Sequence, residues 1–179
     1  YFNNYEIEKV DTDHEEFVKA EKDAKDRLNK LLSIQGNRTV DDFHKSLGKI
    51  MWDNVGMSRN EERLKKAVSE IQKLRKEFWQ DVKIPGSAEG INGELEKATR
   101  VADFLELGEL MAKDALERKE SCGGHFREES QTPENEALRD DEKFGHAAVW
   151  EYKGEKEEPA RHQEELSFEN VPLTQRSYK

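Results

Sequence analysis

The sequence predicts a mainly α protein: a three-helix bundle followed by an irregular, partly β-stranded carboxy-terminal tail. Three observations predict it. Apolar residues recur at steps of three and four through most of the first 120 positions. Charged residues make up 39% of the 179 and the apolar set only 34%, a lean core that suits long helices better than a compact sandwich. After Gly123 and Gly124 the helical period stops.

The first helix is expected over about 13–35, opened by Thr12 or Asp13 as cap. Phe17, Ala20, Ala24, Leu28, Leu31 and Leu32 form its stripe, and Gly36 ends it in the left-handed position. Thr39 with Asp42 restarts the pattern like a capping box for a helix over 40–55. Val40, Phe43, Leu47, Ile50 and Met51 line its face up to Gly56. Ser58 followed by Glu61 is the strongest start signal, for a helix over 59–82 striped by Leu64, Ala67, Val68, Ile71, Leu74, Phe78 and Val82. Pro85 and Gly86 break it. Trp52 and Trp79 read as bundle core or its edge, and the Glu and Lys residues of these helices as solvated faces.

A fourth helix, starting at Ile91 or Asn92 and running to 121, is apolar nearly all round, with Leu95, Val101, Phe104, Leu105, Leu107, Leu110, Met111 and Leu116. It should be covered on more than one side, and Ala98, Ala102, Gly108, Ala112 and Ala115 allow close approach. Residues 1–121 are thus the expected bundle, and 122–179 a loop and short-strand tail packed on it within the same domain. In that tail, residues 128–142 read as a long polar loop. A strand is expected over 147–153, and a second around Leu166 and Phe168 after the charged turn GEKEEP. Two short strands are marginal alone, so Trp150 and Tyr152 are candidate contacts with the bundle or with another body.

Net charge is −10 with both signs interspersed, a balance that repels a phosphate backbone and argues against nucleic-acid binding. Cys122 is the only cysteine, so no internal disulfide forms. No apolar run approaches the ~20 residues of a membrane helix, so direct membrane insertion is not expected. The chain opens YFNNYEIEKV without an initiator Met, as expected of a piece of a longer protein.

Chemistry concentrates in ESCGGHFREE, residues 120–129, where a thiol, an imidazole and a guanidinium follow the fourth helix within six residues. Cys122 and His125 have a spacing that can begin a zinc site, but two ligands do not complete a tetrahedron, even with His146 and His162 nearby in sequence. A Cys nucleophile with a His base is a second reading, favoured by Arg118, Lys119 and Arg127 and opposed by Glu117, Glu120, Glu128 and Glu129. The third is structural. Gly123 and Gly124 end the helix and turn the chain, while His125 and Arg127 anchor the loop or face a neighbouring domain.

The blocks LGKIMWDNVGMSRN (47–60), ELEKATRVADFLELGELMAKDALERKESCGGHFREE (94–129) and VPLTQRSYK (171–179) occur in an order that resembles the carboxy-terminal domain of the succinate dehydrogenase and fumarate reductase flavoprotein subunit. Glu120, Ser121, Gly123, His125, Arg127 and Glu129 keep the frame of the central family motif, whose commonest form has Arg where Cys122 stands and Ala where Gly124 stands. Val171, Pro172, Arg176, Ser177 and Tyr178 match the closing pattern.

The resemblance implies a spectrin-repeat-like three-helix bundle with a partly stranded tail. It implies a parent enzyme in which FAD and capping domains interconvert succinate and fumarate, passing electrons through an iron–sulfur subunit to a membrane anchor and quinone. It places that complex peripherally at the cytoplasmic face of the cell membrane. No GxGxxG turn occurs here, so no catalytic, flavin-binding or metal residue is assigned to these positions, and the chain alone is expected to bind no FAD and to be catalytically silent. His125, Arg127 and Cys122 remain as candidate interdomain or loop-anchoring residues. The competing readings are an independent helical interaction module and the same domain of a related flavoenzyme such as L-aspartate oxidase.

Overall fold

The computed structural model describes residues 10–154 and 157–174; the first nine residues and 175–179, with Arg176, Ser177 and Tyr178 of the closing pattern, lie outside the described residues. Four long helices dominate: α1 (Glu15–Ser33), α2 (Val40–Val55), α3 (Glu61–Asp81) and α4 (Gly93–Glu117). Two-residue strands punctuate them, β1 (Arg38–Thr39), β2 (Ser58–Arg59), β3 (Val82–Lys83) and β4 (Phe126–Arg127). The tail holds a one-turn helix α5 (Asp141–Phe144) and strands β5 (His146–Glu151) and β6 (Ala160–Glu165). The protein is therefore mainly α with a partly stranded tail.

The chain divides into two compact units, one taking residues up to Leu47 and Gln72–Glu106, the other Gly48–Ile71 and residues from Leu107 onward. In the first, Leu31, Val40, Phe43, Leu74, Phe78, Leu95, Val101 and Leu105 form the core, with Phe43 and Phe78 edge to face at 5.2 Å. Parallel pairing of β1 with β3 closes this unit beside the core. Gly36 serves that closure. It does not take a positive φ, and α1 ends at Ser33 with Ile34 as its C-cap; a Cβ at Gly36 would lie 1.9 Å from the Asp81 carbonyl oxygen, so glycine is required for close approach of two backbones.

Several sequence expectations are corrected here. His14, rather than Thr12 or Asp13, caps α1, its Nδ1 accepting the Glu16 N–H at 3.3 Å. Among the described residues the apolar stripe of α1 is covered only near its end: Leu31 is buried, whereas Phe17 is 55% exposed. Periodicity marks an apolar face without saying what covers it. Trp52 is 84% exposed, because nine residues, two and a half helical turns, set it opposite Phe43. On α4, Phe104, Leu107 and Met111 are exposed, so its second apolar side is uncovered among the described residues.

Thr39 does cap α2, its Oγ1 accepting the Asp42 N–H at 3.2 Å. Asn92 likewise caps α4 through the Leu95 N–H at 3.1 Å. Ser58 does not cap α3; Asn60 does, accepting the Arg63 N–H at 2.9 Å, because Ser58 lies in β2 and its hydroxyl donates to Glu128 at 2.7 Å.

The second unit is built differently. Val55, Leu64, Ala67, Ile71, Ala112 and Ala115 supply its apolar core, and all the buried polar side chains among the described residues belong to it: Asn54, Glu109, Glu120, Ser121 and Arg127. Buried polar groups persist only where they are hydrogen-bonded, so this concentration marks where the chain commits side-chain chemistry. β2 and β4 pair in parallel within it, and β5 and β6 form an antiparallel hairpin with Trp150 opposite Arg161. The second strand therefore precedes Leu166 and Phe168, which lie beyond it. Two alternating apolar residues are too short a period to locate a strand against the register set by the turn. The Trp150 indole donates to Asp114 of α4 at 2.8 Å, so the hairpin packs on the helix by its His146, Ala148 and Trp150 face. The expected 128–142 loop contains a Gln131–Ala137 bridge and leads into α5, which Asp140 caps.

Candidate functional site

The ESCGGHFREE stretch lies in the second unit and begins after α4 has ended. The helix stops at Glu117, four residues before its expected end, and the glycines do not stop it. Arg127 does. Its guanidinium, on a residue only 2% exposed, donates through Nη1 to the carbonyls of Ala115 at 3.0 Å and Leu116 at 3.2 Å. Those are the acceptors that the N–H groups of Lys119 and Glu120 would need for another turn. A cation at the carbonyl end of a helix also meets the negative end of its dipole. Arg127 Nε donates to Glu129 at 3.1 Å.

Gly123 and Gly124 act beyond the helix end at Glu117, as the two central residues of a tight turn. Cys122 and His125 exchange backbone hydrogen bonds of 2.8 and 3.0 Å, and Gly123 has φ 58°, the left-handed conformation the first position of a type II′ turn requires. Ser121, fully buried, closes the turn from behind: its Oγ accepts the Arg127 N–H at 2.8 Å and donates to the Arg127 carbonyl at 3.2 Å.

The turn sets His125 between two arginines. Its Nε2 lies 2.8 Å from the Arg118 carbonyl, which can only accept, so Nε2 carries the proton. Nδ1 is then the acceptor for Arg59 Nη1 at 2.7 Å. Burial pushes the His125 pKa below its usual value; the bond to the Arg118 carbonyl opposes this, and the Arg59, Arg118 and Arg127 charges reinforce it. Arg59 in turn donates through Nε to Val55 and Gly56, the last carbonyls of α2, at 3.0 Å each. Burial lowers its own pKa, partly offset by Asp114.

Carboxylates fix the flanks. Glu120, 2% exposed, takes the Arg118 guanidinium at 2.7 Å and the Asp140 N–H at 2.9 Å. Glu128 accepts from Ser58 at 2.7 Å and from Asn60 at 2.8 Å, and these bonds hold its pKa below the carboxylate norm. Burial would raise Glu129, but the Glu61 N–H at 2.6 Å and Arg127 leave it lowered.

Sequence reasoning named His125, Arg127 and Cys122, and the fold brings the three into one turn and its first strand. It missed Arg59 and the Arg118 carbonyl as partners of His125, and Glu120 and Glu128 as the carboxylates that fix the flanks. One signal for Arg59 was present: an arginine three residues after the glycine that ends α2, where last-turn carbonyls need donors. The arrangement leaves little free chemistry. With both His125 nitrogens engaged, no lone pair is available to ligate a metal or to take a proton from Cys122, and among the described residues no group of three or more His, Cys, Asp or Glu side chains converges.

A family model described as the fumarate reductase flavoprotein C-terminal region matches residues 44–178. An uncharacterized FAD-dependent oxidoreductase of Methanocaldococcus jannaschii is 33% identical over 112 residues, 63% of this chain and 20% of that protein. The fumarate reductase flavoprotein subunit of Haemophilus influenzae is 28% identical over 106 residues, 59% of this chain and 18% of its own. Among solved structures, a variant of E. coli quinol fumarate reductase superposes with a TM-score of 0.70 at 20% identity, covering 90% of this chain and 27% of that one, a likeness of fold. The chain spans about a fifth of the length of these curated relatives. A match that begins in α2 and runs through the turn and the tail shows the family: the chain belongs to the fumarate reductase flavoprotein C-terminal family.

Proposed function

We propose that this chain is the carboxy-terminal structural domain of a flavoprotein subunit that interconverts succinate and fumarate with FAD, and that it is catalytically silent alone. The family match through residues 44–178 carries this reading. In it, the bundle and the tail are parts of one domain. His125 and Arg127 serve as loop anchors rather than as interdomain contacts, since their polar atoms are spent on Arg59, on Glu129 and on backbone carbonyls of the chain's own helix exit. Cys122 contributes its backbone to the turn.

The described residues do not fit FAD. A dinucleotide needs a glycine-rich strand-to-helix turn whose helix N-terminus faces the pyrophosphate. Here β1 and β2 lead into helices without such glycines, and the first turns of α2, α3 and α4 carry Asp41 and Asp42, Glu61 and Glu62, and Glu94 and Glu96. Those carboxylates already occupy the positive ends of the helix dipoles and repel phosphate.

The flavin, the dicarboxylate site and the contact with an iron–sulfur subunit are accordingly assigned to the rest of the parent polypeptide. A membrane anchor reached through that subunit puts the complex peripherally at the cytoplasmic face of the cell membrane. No helix among the described residues is long and apolar enough to cross a membrane, which is compatible with peripheral attachment. The test is to purify the whole encoded polypeptide and assay fumarate reduction with a reduced dye. Flavin content with dicarboxylate activity is expected, together with retention of an iron–sulfur subunit on pull-down. A polypeptide with flavin but no action on either dicarboxylate refutes the assignment.

A further inference from the structure

We infer that the Arg59–His125 contact is an acid-released latch, which holds the residue 122–127 turn and strand to the carboxy-terminal end of α2 while His125 is neutral and lets them go when it gains a proton. The inference rests on the anchoring role proposed above and adds a condition under which it fails.

The geometry allows one state only. The Arg118 carbonyl takes the Nε2 proton at 2.8 Å, and Arg59 Nη1 at 2.7 Å then requires a lone pair on Nδ1. A guanidinium has donors and no acceptor, so a proton on Nδ1 sets N–H against N–H and cation against cation at that distance. Arg59 is tethered at the end of α2, its Nε being bound to both Val55 and Gly56. The imidazole must leave.

The charged groups around the ring favour the neutral state. Arg59 from β2, Arg118 after α4 and Arg127 from β4 all oppose a positive ring. The nearby carboxylates are committed elsewhere: Glu120 to Arg118, Glu128 to Ser58 and Asn60, Glu129 to Arg127 and the Glu61 N–H, and Asp114 to the Trp150 indole. The movement has a path, since the turn is a two-glycine link.

The effect on stability follows from proton linkage. The folded pKa lies below the unfolded one, so the unfolded chain binds the proton first. Stability from this residue is complete above the ordinary histidine value near 6.5 and is lost as pH falls toward and through the lowered folded value. Glu128 and Glu129, also lowered, lose their contributions only in the lower carboxylate range.

The test is an NMR titration of the His125 ring together with amide hydrogen exchange of residues 122–127, corrected for intrinsic rate, on the unmodified full polypeptide. The expected result is an Nε2–H tautomer at pH 7.5, a midpoint below 6.5, and protection that falls by up to about tenfold per pH unit between 6.5 and that midpoint and levels off below it. A midpoint at or above 6.5 overturns the latch. So does a low midpoint with unchanged protection. His125→Gln, which can accept from Arg59 and donate to Arg118 without titrating, should make protection independent of pH over this range. Arg127→Ala separates the two proposals: loosening of the segment at pH 7.5, where His125 is neutral, supports anchoring whatever His125 does on titration, and no loosening refutes it.

Discussion

At the scale of single residues, the fold depends on side chains that satisfy backbone ends. Arg127 is the clearest. Replacing it by Ala leaves the Ala115 and Leu116 carbonyls without their side-chain donor and removes one of the two partners of Glu129. A loss of about 3 kcal/mol in urea unfolding is expected. Arg127→Lys should recover only part of it, since an ammonium cannot reach two carbonyls and a carboxylate in the same fixed fork. Gly36 gives a second residue-scale prediction. Ala there sets a methyl 1.9 Å from the Asp81 carbonyl oxygen, with backbone on both sides and no flexible side chain to yield. The cost should reach about 2–3 kcal/mol, read as a lower urea midpoint, and the β1–β3 amides should lose hydrogen-exchange protection.

At the scale of elements, what was legible in the sequence is what periodicity encodes. The stripe Leu64, Ala67, Ile71, Leu74 and Phe78 is buried as the 3.6-residue repeat requires, and the Thr39 and Asn92 caps follow from local chemistry. Ser58 failed as a cap because its hydroxyl is claimed by Glu128, seventy residues away, a partner no local pattern contains. The two-residue strands were illegible for a related reason: Ser58 and Arg59 pair with Phe126 and Arg127, and two residues have no period. His125 was legible as a residue of interest, but Arg59, sixty-six positions earlier, was not legible as its partner.

The first half of α1 shows the converse case, a readable apolar stripe with nothing over it among the described residues. Phe17→Ser should therefore change the stability of this chain by less than about 0.5 kcal/mol, whereas Phe43→Ala, from a fully buried site against Phe78, should cost about 3–5 kcal/mol. Equal losses in thermal unfolding would mean that the Phe17 face is covered. The β5–β6 hairpin is tied to α4 by the Trp150 indole, and Trp150→Phe keeps a smaller aromatic ring there and removes the N–H to Asp114. Its loss should cost about 1–2 kcal/mol and appear first as faster exchange of the hairpin amides.

At the scale of the whole molecule, charge and architecture both bear on the proposal that these residues do not hold FAD. A net charge of −10 sets a repulsive field against an anionic pyrophosphate. The first turns of α2, α3 and α4, the places where a helical protein can best bind phosphate, are filled with Asp and Glu. Among the described residues, buried polar side chains face carbonyls, as Arg127 does, or other side chains, as Glu120 does. The expected outcome of titrating FAD into the chain on its own is therefore no saturable binding tighter than about 1 mM, by fluorescence quenching in low salt, with helical circular dichroism confirming that the chain is folded. Raising the salt should not improve binding to the micromolar range, because the missing element is a glycine-lined turn and not only relief of repulsion. Flavin that remains with the folded chain through gel filtration would place a dinucleotide seat in a bundle whose helix starts are all acidic, and would return catalysis to this part of the subunit.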